Sequence, residues 1–394
     1  METIEINNKL KINYIYNENK ITSFSIGFDA GALNEEGYPL GTAHALEHML
    51  FKRTKNRDEA KISSDIDRFF GFSNAMTNYP YAIYYGSLLP EDFEKCLDIY
   101  SDIIKYPVFL EKELKEEIKI IKEELREWKD DNDKFLEDEA FYNSFKNRRI
   151  KYPIIGEEAQ LDLIDTSALY CFYDKFYTSS NCIITISTNL NKEKALGLIE
   201  KYFSDFNRKS KSSTLINYEK NIPGIFIKDD LKLNGAKIKY LFAISDLDKE
   251  EIFAFKVFDY LFGRAGNGIL YNQIRTKEAL CYDINTEVKN EKGIKLYAIN
   301  INVSKKNIDK TMEIINSLIE GVKSKEYKTE EIKKSIEKIS FLKAIRHEKS
   351  VLLCNDITTD ILMETDDNIY NIDSNKIRDT LSKVLKDGTI QIVY

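Results

Sequence analysis

A chain of 394 residues is long enough for two domains, each able to bury a core of its own without disulfides or a structural metal. Its 43% hydrophobic and 31% charged residues, with 16 Gly and 6 Pro, exclude a disordered or fibrous chain. The formal net charge of -7 leaves no basic surplus for phosphates, so nucleic acid is not an expected partner.

Residues 1–20 never sustain the apolar run of a secretory signal, and nothing later approaches a spanning helix; a cytoplasmic chain with no membrane partner is expected. The five cysteines, odd in number and never in C-x-x-C spacing, are expected to be reduced. Apolar and polar residues alternate with period two over Lys11–Tyr16 and Thr22–Ala30, which predicts strands, and a loop rich in Gly, Asn, Glu and Pro follows over Gly31–Gly41. Thr42–Lys52 and Glu59–Phe70 read as helices, and Ser73–Leu88 as a long strand or hairpin rich in Tyr, Ile and Thr. Pro90–Ile104 and the densely charged Glu111–Phe145 read as helical, followed by a further helix and a β-rich run over Asn181–Ser187. Residues 207–214 carry no apolar periodicity and mark a linker. Beyond it the order of elements returns: a strand at Ala236–Ile244, helices across Lys249–Glu278, strands over Tyr282–Val303, and helices at Lys306–Lys323 and Thr329–His347. The pattern predicts an α+β chain of two similar α/β-sandwich domains, each an antiparallel-rich sheet covered by helices, over residues 1–206 and 223–394 with a linker at 207–222.

The chain has three histidines, and two of them stand four apart in His44-Ala45-Leu46-Glu47-His48. Positions i and i+4 of a helix lie about 40° apart, so both imidazoles share a face at a separation suited to one Zn²⁺, while Leu46, Met49 and Leu50 can anchor the other face in a core. A catalytic zinc needs a third protein ligand and one open position. On a wheel of the helix after Glu111, Leu114, Ile118, Ile120, Ile121, Leu125 and Trp128 form an apolar stripe. Glu117 and Glu124 fall within that stripe, Glu113 lies near it in the first turn, and Glu116, Glu123 and Glu127 point away. A carboxylate on a buried face is costly without a cation or strong hydrogen bonds, so Glu117 and Glu124 each call for a partner, whether a metal, a lysine or solvent.

Gly41–Thr54, GTAHALEHMLFKRT, resembles the zinc-helix region of the M16 family of metallopeptidases, whose motif is H-x-x-E-H, and Glu117–Glu124, EIKIIKEE, resembles that family's downstream segment. The resemblance implies that Glu124 joins His44 and His48 in holding zinc, that Glu117 supports the site, and that Glu47 is the general base of a peptidase acting through zinc-activated water. Asn74-Ala75-Met76-Thr77 is similar to the family's N-A-x-T edge, which implies that Asn74 and Ala75 bind a substrate peptide as an added strand. Arg275-Thr276-Lys277-Glu278-Ala279-Leu280-Cys281-Tyr282 resembles the segment whose Arg and Tyr reach the substrate. Read without the family, Asn74 is a turn residue, Arg275 a surface charge and Tyr282 a half-buried aromatic.

The chain looks most like the short, two-domain members related to the mitochondrial processing peptidase. Such a chain is half of the family's clamshell, which implies peptide substrates in a closed chamber and a homodimer with Arg275 and Tyr282 acting in trans. A heterodimer with a degenerate M16-like subunit, or a non-catalytic role as such a subunit, is the alternative. Departures at Ser187-Thr188-Asn189 and Gly263–Gly268 bear on loop shape and substrate preference, and the acidic net charge favours basic substrates.

Overall fold

The computed structural model describes residues 1–206, 216–229, 233–264, 268–365 and 368–394. The described residues fall into two compact units, one drawn from 1–127, 152–215 and 346–365, the other from 128–151, 216–345 and 366–394. The units therefore differ from the boundaries expected from chain order: residues 128–151 pack with the later half and 346–365 with the earlier half. Of the expected linker, residues 207–215 lie outside the described residues, and 216–222 form neither helix nor strand.

The first unit holds a six-stranded sheet of β1 (Glu2–Glu5), β2 (Lys11–Tyr16), β3 (Thr22–Phe28), β4 (Phe70–Thr77), β5 (Ala82–Leu88) and β6 (Cys182–Thr188), in the order β1-β2-β6-β3-β5-β4. All pairs are antiparallel except β2 with β6. Every residue of β3 and β6 is buried, so both faces of the sheet are covered. The face bearing Phe24, Ile26 and Phe28 shares an apolar core with α1 (Thr42–Leu50), α3 (Phe93–Lys105) and α4 (Glu111–Asp130). The other face carries small polar residues and is covered by the helix Ser350–Met363, tied down by Ser23···Ser350 (2.7 Å) and Thr358 to Thr185 (2.7 Å). Gly27 permits that close approach, since a Cβ there would lie 2.5 Å from Thr358 Cγ2. Alternation of Ser with Phe and Ile along β3 thus survives burial on both sides, which is why its period was legible.

Helix α2 (Glu59–Phe69) leads into β4, which pairs with β5 alone and forms an edge of the sheet. The run expected as one long helix from Glu111 breaks at Asp131, whose extended backbone and side chain cap α5 (Asn132–Ser144) by accepting from Asp133 N and Lys134 N. Ile120, expected in the apolar stripe of α4, is 51% exposed; the buried positions are Leu114, Glu117, Ile118, Ile121 and Leu125.

The second unit holds β7 (Gly224–Lys228), β8 (Ala236–Ala243), β9 (Cys281–Glu291), β10 (Ile294–Val303) and β11 (Thr389–Val393), ordered β7-β11-β8-β10-β9, with only β7 and β11 parallel. The helices Lys249–Asp259, Ile308–Ser324 and Ser374–Val384 line its core, the first opened by a capping box of Asp248 and Glu251. Helix α5 packs on β8 and β11 and carries Glu137 between Lys239 and Lys289, each 2.6 Å away. The helical run expected over Lys249–Glu278 is interrupted by wider turns at Tyr260–Arg264 and Asn272–Lys277, and residues 265–267 of the expected glycine-rich loop lie outside the described residues. The helices Lys192–Phe203, Ser350–Met363 and Ser374–Val384 and the strands β1, β7 and β11 have no counterpart among the predicted elements. Each unit is a mixed α/β assembly around an antiparallel-rich sheet, as the pattern predicts. All five cysteines are free thiols, and no described helix is long and apolar enough to cross a membrane.

Candidate metal centre

Helix α1 is fixed at both ends before it presents any chemistry. Gly41 adopts φ +94° at its N-terminus, and a Cβ there would lie 2.5 Å from Ile155 O, so only glycine fits. The buried Glu35 accepts from Gly41 N (3.1 Å) and Ala43 N (2.9 Å), taking the part of a capping side chain and placing negative charge at the positive end of the helix. Leu46, Met49 and Leu50 are fully buried and lock the rotation of α1, leaving His44 and His48 on the opposite face.

The two rings lie with centroids 4.6 Å apart. Glu124 of α4 points at both, its Oε2 lying 3.8 Å from His44 Nε2 and 3.6 Å from His48 Nε2. These separations are too long for hydrogen bonds. They suit a shared ion, because ligand atoms ~2.0–2.1 Å from a tetrahedral zinc stand about 3.4 Å from one another. The three ligand atoms all lie within 4.8 Å of each other, the one such cluster among the described residues.

The protonation pattern fits a cation as well. Burial and the neighbouring His48 push His44 down to about 3, so its ring is neutral and offers a lone pair. His48 Nδ1 lies 2.8 Å from Glu117 Oε1, which places its hydrogen on Nδ1 and its lone pair on Nε2, toward Glu124. Burial opposes protonation of His48, but the hydrogen bond to Glu117 and the nearby Glu47 and Glu124 outweigh it and raise its pKa. A more basic ring is a better metal ligand. The residues present fit zinc.

The two glutamates singled out on α4 have different surroundings. Glu117 is 4% exposed and is compensated by His48 and by Lys52 Nζ, 2.6 Å from its Oε2, which hold its pKa below the ordinary value against the cost of burial. Glu124 has 43% of its side chain exposed and faces the two imidazoles. Glu113 is taken by Arg53 at 2.7 Å.

Glu47 sits one residue before His48 on the wall of a cavity of about 350 Å³, lined also by His48, Phe51, Lys52, Ile66, Asn74, Ala75, Tyr100 and Glu117. Burial raises its pKa, partly offset by the hydroxyl of Thr77, which donates to Glu47 Oε2 at 2.5 Å.

Residues 11–158 match the family model described as insulinase (peptidase family M16), and residues 164–339 the model described as the peptidase M16 inactive domain. The chain belongs to the M16 peptidase family. It is 30% identical to an uncharacterized zinc protease of Rickettsia bellii over 273 residues, 68% of this chain and 65% of that one. It is 25% identical to a probable mitochondrial-processing peptidase subunit beta of Arabidopsis thaliana, over 54% of this chain and 40% of the relative. The chain thus spans about two thirds or less of the length of these curated relatives. In fold it is similar to a protease from Helicobacter pylori, with a TM-score of 0.90, 16% identity, and coverage of 100% and 99% of the two chains.

Asn74 and Ala75, from the stretch resembling an M16 substrate edge, lie on edge strand β4 and line the cavity beside Glu47. Asn74 is in a strand and not a turn; its amide donates to Tyr85 OH, and its Oδ1 accepts from Ala75 N. Arg275 and Tyr282 belong to the second unit, where the guanidinium lies over the rings of Tyr271 (4.9 Å) and Tyr282 (5.4 Å). Tyr282 is 84% exposed, not half-buried, as the second residue of β9, next to the buried Cys281. Sequence reasoning missed Thr77, Lys52 and Glu35 as participants. The available signal for Lys52 was its place at i+4 from His48, which continues the four-residue spacing of the histidines, and for Thr77 its place closing the N-A-x-T stretch; Glu35 left none, since its partners are set by tertiary approach.

Proposed function

We propose that this M16 chain is a zinc metalloendopeptidase hydrolysing peptides or unfolded polypeptide segments, with His44, His48 and Glu124 as metal ligands. The observation that carries the reading is the convergence of two imidazole nitrogens and one carboxylate oxygen beside the part-buried carboxylate of Glu47. When bound, a zinc ion supplies Lewis acidity toward the scissile carbonyl and makes a water nucleophilic near neutral pH. Glu47 is the general base: with Oε2 engaged by Thr77, its Oε1 takes the proton of the attacking water and delivers it to the departing amine. Burial raises its pKa and so brings it closer to the operating pH, as suits a general base. Glu117 holds the Nδ1 hydrogen of His48 and thereby keeps Nε2 aimed at the ion. Asn74 and Ala75, on the unpaired side of an edge strand, receive the substrate by strand addition. We further read the active form as a homodimer in which Arg275 and Tyr282 of one copy contact substrate at the other copy's metal centre.

Glu47→Gln is the deciding variant. Wild type should contain zinc and cleave a quenched-fluorescent peptide, and the variant should keep the zinc and lose about 10²–10⁴-fold in kcat. A variant as active as wild type removes Glu47 from this role, and a zinc-loaded wild type inert on all peptides favours the non-catalytic subunit.

A further inference from the structure

Lys52 has no part in the reaction just described, yet it touches the carboxylate that orients a metal ligand. Helix α1 ends at Leu50, and the turn that follows, with Phe51 N bonded to His48 O and Lys52 N to Met49 O, carries Lys52 onward along the histidine face. Its ammonium lies 2.6 Å from Glu117 Oε2 and 2.8 Å from Glu59 Oε1, with 17% of the side chain exposed. Glu117 spends its other oxygen on His48 Nδ1. The result is an unbroken row of contacts: Lys52, Glu117, His48 and the point where the ligand atoms converge.

The two carboxylates on Lys52 are not equivalent. Glu59 is 63% exposed and can be solvated by water whatever Lys52 does. Glu117 Oε2 is buried, and removing Lys52 would leave it charged without its cationic partner, a costly state. The carboxylate would relieve that cost by turning toward water, and in doing so would release His48 Nδ1.

We infer that Lys52 is a positioning residue that sets the metal affinity of the centre through Glu117, by anchoring Oε2 so that Oε1 stays on His48 Nδ1. This rests on the zinc reading above. Partners of this kind, one step behind the ligands, typically change metal affinity about 10–100-fold when removed.

The test is zinc affinity of the purified full chain, measured by competition with a chromophoric chelator, for wild type, Lys52→Met, Lys52→Arg, Glu59→Gln, Glu117→Gln and the double variant Lys52→Met/Glu117→Gln. Lys52→Met should bind zinc about 10–100-fold more weakly while the metal-free protein keeps the wild-type circular dichroism and melting temperature, and Lys52→Arg and Glu59→Gln should remain within about threefold of wild type. Because Lys52 acts through Glu117, the double variant should bind no more weakly than Glu117→Gln alone. Equal affinity of Lys52→Met and wild type overturns the inference, and so do losses that multiply in the double variant. Should metal-free Lys52→Met fail to fold, Lys52→Gln is judged by the same criteria. A wild type that binds no zinc brings down the metal reading itself, an outcome distinct from a wild type and a Met variant that bind it equally.

Discussion

At the scale of single residues, the proposed acid–base chemistry turns on how a part-buried carboxylate is held. Thr77 donates to Glu47 Oε2 at 2.5 Å, fixing the rotamer of the proposed base and moderating the rise in pKa that burial causes. A hydrogen bond to a charged group contributes about 1.5–3 kcal/mol, so Thr77→Val should lower kcat about 10–100-fold while zinc content and KM stay near wild type, and Thr77→Ser should retain most of the activity. Steady-state kinetics on one peptide, with metal analysis, would show it; a Val variant with unchanged kcat would mean the hydroxyl is only structural. Helical spacing made legible the shared face of His44 with His48 and that of Glu117 with Glu124, because side-chain direction follows from 3.6 residues per turn; the role expected for Glu47 came from the family resemblance. The partners of Thr77, Lys52 and Glu35 were not legible, because each residue meets its partner across a gap between separate elements.

At the scale of elements, α5 shows how a charged helix is held on a sheet. Burial alone would raise Glu137, but Lys239 and Lys289 draw it down to about 2. Its neighbour Asp138 lies instead near the like charges of Glu137 and Glu139; burial above all pushes it up to about 7, against the hydrogen bond from Trp128 Nε1 and the weaker pull of Lys129. A carboxyl whose folded pKa lies above its unfolded value of about 4 binds more protons when folded, so its contribution is complete below pH 4 and is lost as pH rises through about 7. Asp138→Asn keeps the acceptor for Trp128 and removes the charge. It should match wild type near pH 4 and become more stable by roughly 1–4 kcal/mol above pH 8, read from urea unfolding at both pH values. A difference that does not grow with pH would contradict the assignment. The long helix predicted from Glu111 to Phe145 failed at Asp131 for a local reason: in a run of Asp and Asn, its side chain captured the backbone N–H groups of Asp133 and Lys134 and began a new helix.

At the scale of the molecule, the compact units do not follow chain order. The first sheet's polar face is covered by the helix Ser350–Met363, which follows the whole of the second sheet except β11. A fragment ending at residue 206 would expose buried Ser23, Ser25, Thr185 and Ser187 together with the apolar Ile83 and Ile183, and should show no cooperative thermal transition where the full chain does. The proposed homodimer has its own test. Glu47→Gln and Arg275→Ala variants, each nearly inactive alone, should regain activity when mixed and allowed to exchange subunits, because one site of each mixed dimer then has both residues; no recovery, or a monomeric mass, would exclude action in trans.

The sequence by itself determined what local periodicity can carry: the strands of both sheets apart from β1, β7 and β11, the two-unit α/β plan, and the faces of α1 and α4 bearing the histidines and glutamates, since side-chain direction follows directly from backbone repeat. Periodicity left open which glutamate meets His48 Nδ1 and which faces both imidazoles, a division that the family resemblance implied and that the distances set; which helix covers which sheet was decided by the tertiary structure alone. Those outcomes depend on approach between elements far apart in the chain, where competing partners of similar chemistry are separated by burial and distance and not by any pattern along the sequence.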